Sequence, residues 1–117
     1  MDNESKTLND AGKPRRCIII PAYNEEKQII SVVTGIIRNC ETEIVVIDDG
    51  SEDKTYERAL STGVYVIKHP YNMGAGVAIQ TGCKYAIENG YDFLLQIDGD
   101  GQHHPAHISD MFSMVEE

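Results

Sequence analysis

Asp98 and Asp100 stand two residues apart, with Gly99 between them and Gly101 after them. Two carboxylates on so tight a loop can both point at one hard cation. Mg²⁺ and Mn²⁺ favour oxygen ligands and keep open positions for phosphate and water. A cation held this way neutralises a diphosphate and stabilises it as a leaving group. Gln102 offers a neutral oxygen beside it. Taken alone, Asp-x-Asp reads equally well as an acidic turn between a strand and a helix. Its weight depends on what surrounds it.

Three other polar clusters punctuate the chain: Pro21-Ala22-Tyr23-Asn24-Glu25, Asp48-Asp49-Gly50-Ser51 and His69-Pro70-Tyr71-Asn72-Met73-Gly74. Each follows a short apolar run. Cys17–Ile20 is β-branched and stopped by Pro21, and Glu43–Ile47, Val64–Lys68 and Phe93–Ile97 follow the same plan. These read as buried strands. Between them lie amphipathic segments. Glu25–Asn39 carries Ile29, Val32, Val33, Ile36, Ile37 and Cys40 at helical spacing, with Asn24 as N-cap. Asp53–Thr62 turns Tyr56, Ala59 and Leu60 to one side. Gly74–Asn89 carries Val77, Ile79, Ala86 and Ile87 and is closed by Gly90. A last helix starts at Pro105 with Ile108, Met111, Phe112 and Val115 inward. Strands alternating with helices form parallel sheets through right-handed crossovers. The expected fold is therefore α/β, an open, doubly wound, mainly parallel sheet. All four polar clusters then fall at its carboxyl edge, where such sheets bind ligands.

Bulk properties narrow the classes further. The 117 residues suffice for one domain, and 41% hydrophobic content suits a globular chain. The net charge of −9 argues against unaided binding to nucleic acid, which needs a basic surface. An acidic chain still binds a polyanion when a cation bridges the two. No apolar run spans a bilayer, and the polar start of the chain has no signal-peptide core. The expectation is a cytoplasmic protein with a flexible tail over residues 1–14 and one domain over 15–117. Cys17, Cys40 and Cys83 lack zinc-ligand spacing and a disulfide framework, and read as reduced packing residues.

The other clusters carry two readings each. Asp48-Asp49-Gly50-Ser51 is either a turn, with Ser51 or Asp53 capping the next helix, or an acidic contact to a base or ribose, as at the end of strand two in dinucleotide folds. Asn72-Met73-Gly74-Ala75-Gly76 is either a tight turn or a phosphate loop, without the Walker Lys and Ser/Thr. His103 and His107 are four residues apart, but Pro105 intervenes where the helix begins, so a zinc pair on one helix face is not expected.

Together these residues resemble the family 2 glycosyltransferases. Ile18-Ile19-Ile20-Pro21-Ala22-Tyr23-Asn24-Glu25-Glu26 looks like that family's first strand and nucleotide loop. Val46-Ile47-Asp48-Asp49-Gly50-Ser51, with Asp53 and Thr55, looks like its second signature, and Asn72-x-Gly74-x-Gly76 like its third. Ile97-Asp98-Gly99-Asp100-Gly101-Gln102-His103-x-Pro105 is similar to the metal motif of the dolichyl- and polyprenyl-phosphate sugar synthases. The four motifs occur in the family's order and cover the chain from Cys17 onward.

The resemblance implies the Rossmann-like, nucleotide-binding half of a GT-A fold. It implies that Pro21, Ala22, Tyr23 and Glu25 line a nucleotide pocket, with Glu25 near the ribose. Asp49 would contact the base, and Asp98 would face the ribose or the metal's water shell. Asp98, Asp100 and Gln102 form the implied metal set, for Mg²⁺ or Mn²⁺. The reaction implied is inverting transfer of a sugar from a UDP- or GDP-linked donor to an acceptor, with a polyprenyl phosphate as one candidate. A lipid acceptor would place the protein at the cytoplasmic membrane face. The family's acceptor half and any general base fall beyond residue 117, so these residues alone are expected to bind donor without transfer, and an uncovered sheet edge favours self-association. Two alternatives compete: a nucleotide-sugar-binding remnant, and a nucleotidyltransferase. The second calls for a Gly- and Lys-rich loop after strand one, which Pro21-Ala22-Tyr23-Asn24 is not.

Overall fold

Strands that are apolar on both faces demand cover on both faces, and the chain supplies it. The computed structural model describes residues 14–99. Within them β1 (Arg16–Ala22), β2 (Glu43–Asp48), β3 (Tyr65–Lys68) and β4 (Phe93–Gln96) alternate with α1 (Ile29–Asn39), α2 (Thr55–Ser61) and α3 (Ala75–Glu88). The strands form one sheet in the order β3-β2-β1-β4, and every pairing is parallel. The α/β doubly wound architecture expected from the sequence is the one observed.

Alternation along β1 and β2 sends side chains to two cores. Ile18, Ile20, Ala22, Ile44 and Val46 pack with Ile29, Val32, Val33 and Ile36 of α1 and Ala59 of α2. Cys17, Ile19, Val45 and Ile47 pack with Ala78 of α3 on the opposite side. Burial, with Glu43 adding to it, pushes the Cys17 thiol up to about 12, so it stays an inert packing group. Cys17, Cys40 and Cys83 are all free thiols; Cys40 and Cys83 are only half-buried.

Three local readings need correction. Helix α1 starts at Ile29 and not at Glu25: Asn24 adopts φ 54°, and residues 25–28 form a turn in which the Glu25 carbonyl accepts from the amides of Gln28 and Ile29 at 3.0 and 2.9 Å. Asn24 is no N-cap. The Glu25 amide instead donates to Thr55 Oγ1 at 2.8 Å and the Glu26 amide to Asp53 Oδ2 at 3.3 Å, so the next loop caps this one. Helix α3 faces the sheet through Ala78, Gly82 and Ala86, leaving Ile87 78% exposed. A Cβ on Gly82 would lie 2.8 Å from Ile19 Cδ1. Close helix–sheet approach selects small residues, and the larger apolar ones move to the rim. Ile37 and Leu60, also expected inward, are exposed. Gly90, at φ 75°, does close α3. The tail through residue 13 and the expected Pro105 helix lie outside the described residues.

Candidate functional site

The loops that follow all four strands meet at the carboxyl edge, and hydrogen bonds tie each to a neighbour. The Asp49 amide donates to the Ala22 carbonyl at 2.9 Å, joining the ends of β2 and β1. The Gly99 amide donates to the Pro21 carbonyl at 3.3 Å, joining the ends of β4 and β1. The His69 amide donates to the Asp48 carbonyl at 2.8 Å, joining β3 to β2. The approach is close: a Cβ at Gly99 would lie 3.0 Å from Ala22 Cβ and 3.3 Å from the Pro21 carbonyl oxygen. Pro21, Ala22, Tyr23, Glu25, Asp49 and Asp98 are thereby gathered on one edge by backbone bonds between parallel strand ends.

The first and second loops interlock. The Asn24 amide donates to Ser51 Oγ at 2.8 Å, and Asn24 Oδ1 accepts from the Glu52 amide at 2.9 Å. Glu26 Oε1 accepts from the Lys54 amide at 3.0 Å. Asp53 Oδ1 accepts from both the amide and the hydroxyl of Thr55, at 2.9 and 2.5 Å, but the residue before α2 is Lys54, so neither Ser51 nor Asp53 is the N-cap the turn reading expected. This bracket fixes the backbone on either side of Tyr23, whose own side chain is exposed.

The second and third loops are joined by one carboxylate. Asp49 is 3% exposed, and four donors surround it. Oδ1 accepts from His69 Nδ1 at 2.8 Å and from the Met73 amide at 3.0 Å. Oδ2 accepts from Asn72 Nδ2 at 3.0 Å and from the Gly74 amide at 2.9 Å. Burial is the largest single influence on Asp49 and pushes its pKa up. The hydrogen bonds from His69, Met73 and Gly74, with the imidazole beside it, outweigh burial and hold it below the usual carboxylate range. Gly50, at φ 72°, lets the two loops touch. A Cβ there would lie 2.2 Å from the Tyr71 carbonyl carbon and 2.4 Å from the Asn72 nitrogen. Beneath this contact Asp48 is fully buried; its Oδ1 accepts from the Ser51 amide at 3.2 Å and its Oδ2 has no partner.

Asp98 is half-buried, and Gln96 Nε2 donates to its Oδ1 at 3.2 Å. Asp100 and Gln102, the other two residues of the expected metal set, lie outside the described residues. Among the described residues no group of three His, Cys, Asp or Glu side chains converges as a closed metal cage. Of that set the described residues hold Asp98, a half-buried carboxylate at the carboxyl edge whose oxygen chemistry suits a hard cation. A cavity of about 300 Å³ walled by Tyr65, Tyr85, Tyr91 and Glu43 sits at the other end of the sheet, by the strand starts.

Sequence reasoning missed the parts played here by His69, Thr55 and Asn24. The signal for His69 was available: a histidine directly at a strand end, one loop away from an Asp-Asp-Gly turn.

The family follows from comparison with known proteins. The profile of Glycosyl transferase family 2 matches residues 17–117, and the chain belongs to that family. It is 36% identical over 115 residues to the UDP-N-acetylglucosamine–dolichyl-phosphate N-acetylglucosaminyltransferase of Methanococcus voltae, covering 84% of this chain and 46% of that protein. It is 33% identical over 109 residues to the polyprenol monophosphomannose synthase of Mycolicibacterium smegmatis, covering 87% of this chain and 41% of that protein. Its fold matches glucosyl-3-phosphoglycerate synthase from Mycobacterium tuberculosis, solved with Mn²⁺, UDP and glucosyl-3-phosphoglycerate. That match has a TM-score of 0.73 and 26% identity, and covers 97% of this chain and 43% of that one. The fold is thus that of the GT-A glycosyltransferases, and the chain spans less than half the length of these relatives. No helix among the described residues is long and apolar enough to cross a membrane.

Proposed function

We propose that these residues form the donor site of a sugar transferase and bind a nucleoside diphosphate sugar, UDP- or GDP-linked, together with Mg²⁺ or Mn²⁺. The observation that carries the reading is the convergence of four loops, in a family 2 chain, on one acidic edge that includes Asp49 and Asp98. Pro21, Ala22, Tyr23 and Glu25 line the nucleotide pocket, with Glu25 toward the ribose. Asp49 serves the base. Because its four acceptor positions are filled, a base N–H reaches it by replacing the Asn72 amide, the donor of the four that sits on an exposed side chain. Asp98, Asp100 and Gln102 hold the cation. When bound, the cation neutralises the diphosphate and stabilises it as it leaves.

In the whole protein the sugar passes with inversion to an acceptor, and a polyprenyl phosphate, already an anion, needs no base to activate it. Such an acceptor places the protein at the cytoplasmic face of a membrane. Relatives named as dolichyl- and polyprenyl-phosphate transferases support that acceptor class. Titration calorimetry with UDP and GDP, in Mn²⁺ and in chelator, tests the donor site. Binding in Mn²⁺ that vanishes in chelator is expected, since bare carboxylates repel a diphosphate. Equal binding in both conditions rules the cation out.

A further inference from the structure

We propose that His69 is a positioning residue for the donor site, acting through Asp49 on the backbone of the loop from Asn72 to Gly74. The inference rests on the donor-site reading above and adds to it a residue that touches no donor. His69 directly follows β3 and is buried. Both ring nitrogens are engaged: Nδ1 lies 2.8 Å from Asp49 Oδ1, and Nε2 lies 2.8 Å from Thr81 Oγ1 in α3. The ring thus bridges the end of β2 to the second turn of α3, directly beneath the loop that connects β3 to that helix.

The hydrogen-bond inventory fixes the roles. An ionised carboxylate only accepts, so Nδ1 carries the proton toward Asp49. In the neutral ring Nε2 accepts from the Thr81 hydroxyl, and in the charged ring it donates to it. The bridge therefore survives either charge state. What it holds is a carboxylate that also receives the Met73 and Gly74 amides. Those two amides lie at the start of α3, where Gly74 takes φ 105°. Without the His69 proton, one lone pair of a nearly inaccessible carboxylate is left unmatched. Asp49 then turns toward water, and the two amides lose their anchor. Gly50, in backbone contact with Tyr71 and Asn72, transmits that movement to the Asp48–Ser51 turn, which is bonded to the first loop through Asn24. One histidine behind the site thereby sets the shape of two of its walls.

Amide mimics separate this role from simple packing. In His69→Asn the side-chain nitrogen falls where Nδ1 lies and keeps the donor to Asp49. In His69→Gln it falls where Nε2 lies and keeps the contact to Thr81 but not the one to Asp49. Two readouts apply to the full chain: the Kd for UDP and GDP in Mn²⁺, and hydrogen exchange of the Met73 and Gly74 amides by NMR, which needs no ligand. For His69→Gln the expected result is a Kd raised at least about tenfold, with the two amides exchanging at least about tenfold faster, the scale of one hydrogen bond to a charged group. His69→Asn stays within about threefold of wild type in both. Thr81→Val, like His69→Asn, removes only the contact behind the ring and stays within about threefold of wild type in both. If His69→Gln does not fold, the ring-nitrogen chemical shifts of the wild-type protein serve instead, with Nδ1 protonated as the expected result. Equal behaviour of the Asn and Gln variants, or an unprotonated Nδ1 when Gln is unfolded, overturns the proposal. Wild-type protein that binds neither nucleotide overturns the donor-site reading and the affinity claim with it, while the exchange comparison then decides separately whether His69 holds the loop.

Discussion

Asp49→Asn changes one oxygen to an amide nitrogen and should destabilise the domain far more than a surface substitution does. The carboxylate accepts two hydrogen bonds on each oxygen, from His69 Nδ1 and the Met73 amide and from Asn72 Nδ2 and the Gly74 amide. An Asn side chain offers one accepting oxygen. Its amide must face either the first pair of donors or the second. At the first, the neutral His69 ring can move its proton to Nε2 and accept; at the second, Asn72 can flip, but it then gives up its bond to the Asp49 carbonyl at 3.2 Å. Either way one part-buried backbone N–H, of Met73 or of Gly74, is left without an acceptor, and the remaining bonds lose their charge assistance. Bonds to charged groups contribute about 1.5–3 kcal/mol each. Two lost, with partial recovery at the side-chain partner, gives a loss of about 2–4 kcal/mol. In a domain of this size that lowers Tm by roughly 10–20 °C. Thermal melting by circular dichroism without metal or nucleotide measures it. A Tm within about 3 °C of wild type would show that the four bonds contribute little and that Asp49 is held by its surroundings alone.

Two further outcomes follow from the same contacts. Gly50→Ala forces a Cβ against the Tyr71 and Asn72 backbone at a left-handed φ, and should cost at least about 2–3 kcal/mol in a urea titration, with a near-neutral result contradicting the loop-to-loop contact. Stability should also fall in acid. Burial is the largest influence on both Asp49 and Asp53 and raises their pKa values, but hydrogen bonds bring the net value below normal, at Asp53 from Thr55 and the Glu26 amide. A carboxylate with a depressed folded pKa contributes stability above its unfolded value, near about 4, that is lost as pH falls through the folded one. The urea midpoint should therefore decline below about pH 4, and less steeply in Asp49→Asn; an identical slope in both proteins contradicts this assignment.

The sheet was readable from the chain because strands buried on both faces leave unbroken β-branched runs such as Cys17–Ile20, and the turns between them carry their own residue types. The edge that carries the candidate site followed from order alone, since parallel strands put every βα loop at one end. Helix faces were less readable. Periodicity of large apolar residues pointed to Ile87, whereas α3 approaches the sheet through Ala78, Gly82 and Ala86, where small size matters more than hydropathy. Asn24 looked like a cap by type and position, yet the caps for the first loop come from Asp53 and Thr55, about 30 residues away. Contacts of that span leave no local pattern. The same holds for Asp49, whose partners His69, Asn72, Met73 and Gly74 all lie in the next loop.

The most direct measurement of the central claim is where a paramagnetic cation sits when nucleotide is present. Mn²⁺ added with UDP or GDP should broaden the amide signals of Ala22, Asp49 and Gly99 at the carboxyl edge, and leave Glu43 and Tyr65 at the strand starts sharp. Asp100→Ala should abolish the broadening without lowering the metal-free Tm, because removing one of two carboxylates two residues apart in the chain relieves repulsion in the absence of metal. Broadening that centres on Glu43 and Tyr65, or that persists unchanged in Asp100→Ala, would contradict a donor site built on Asp98 and Asp100.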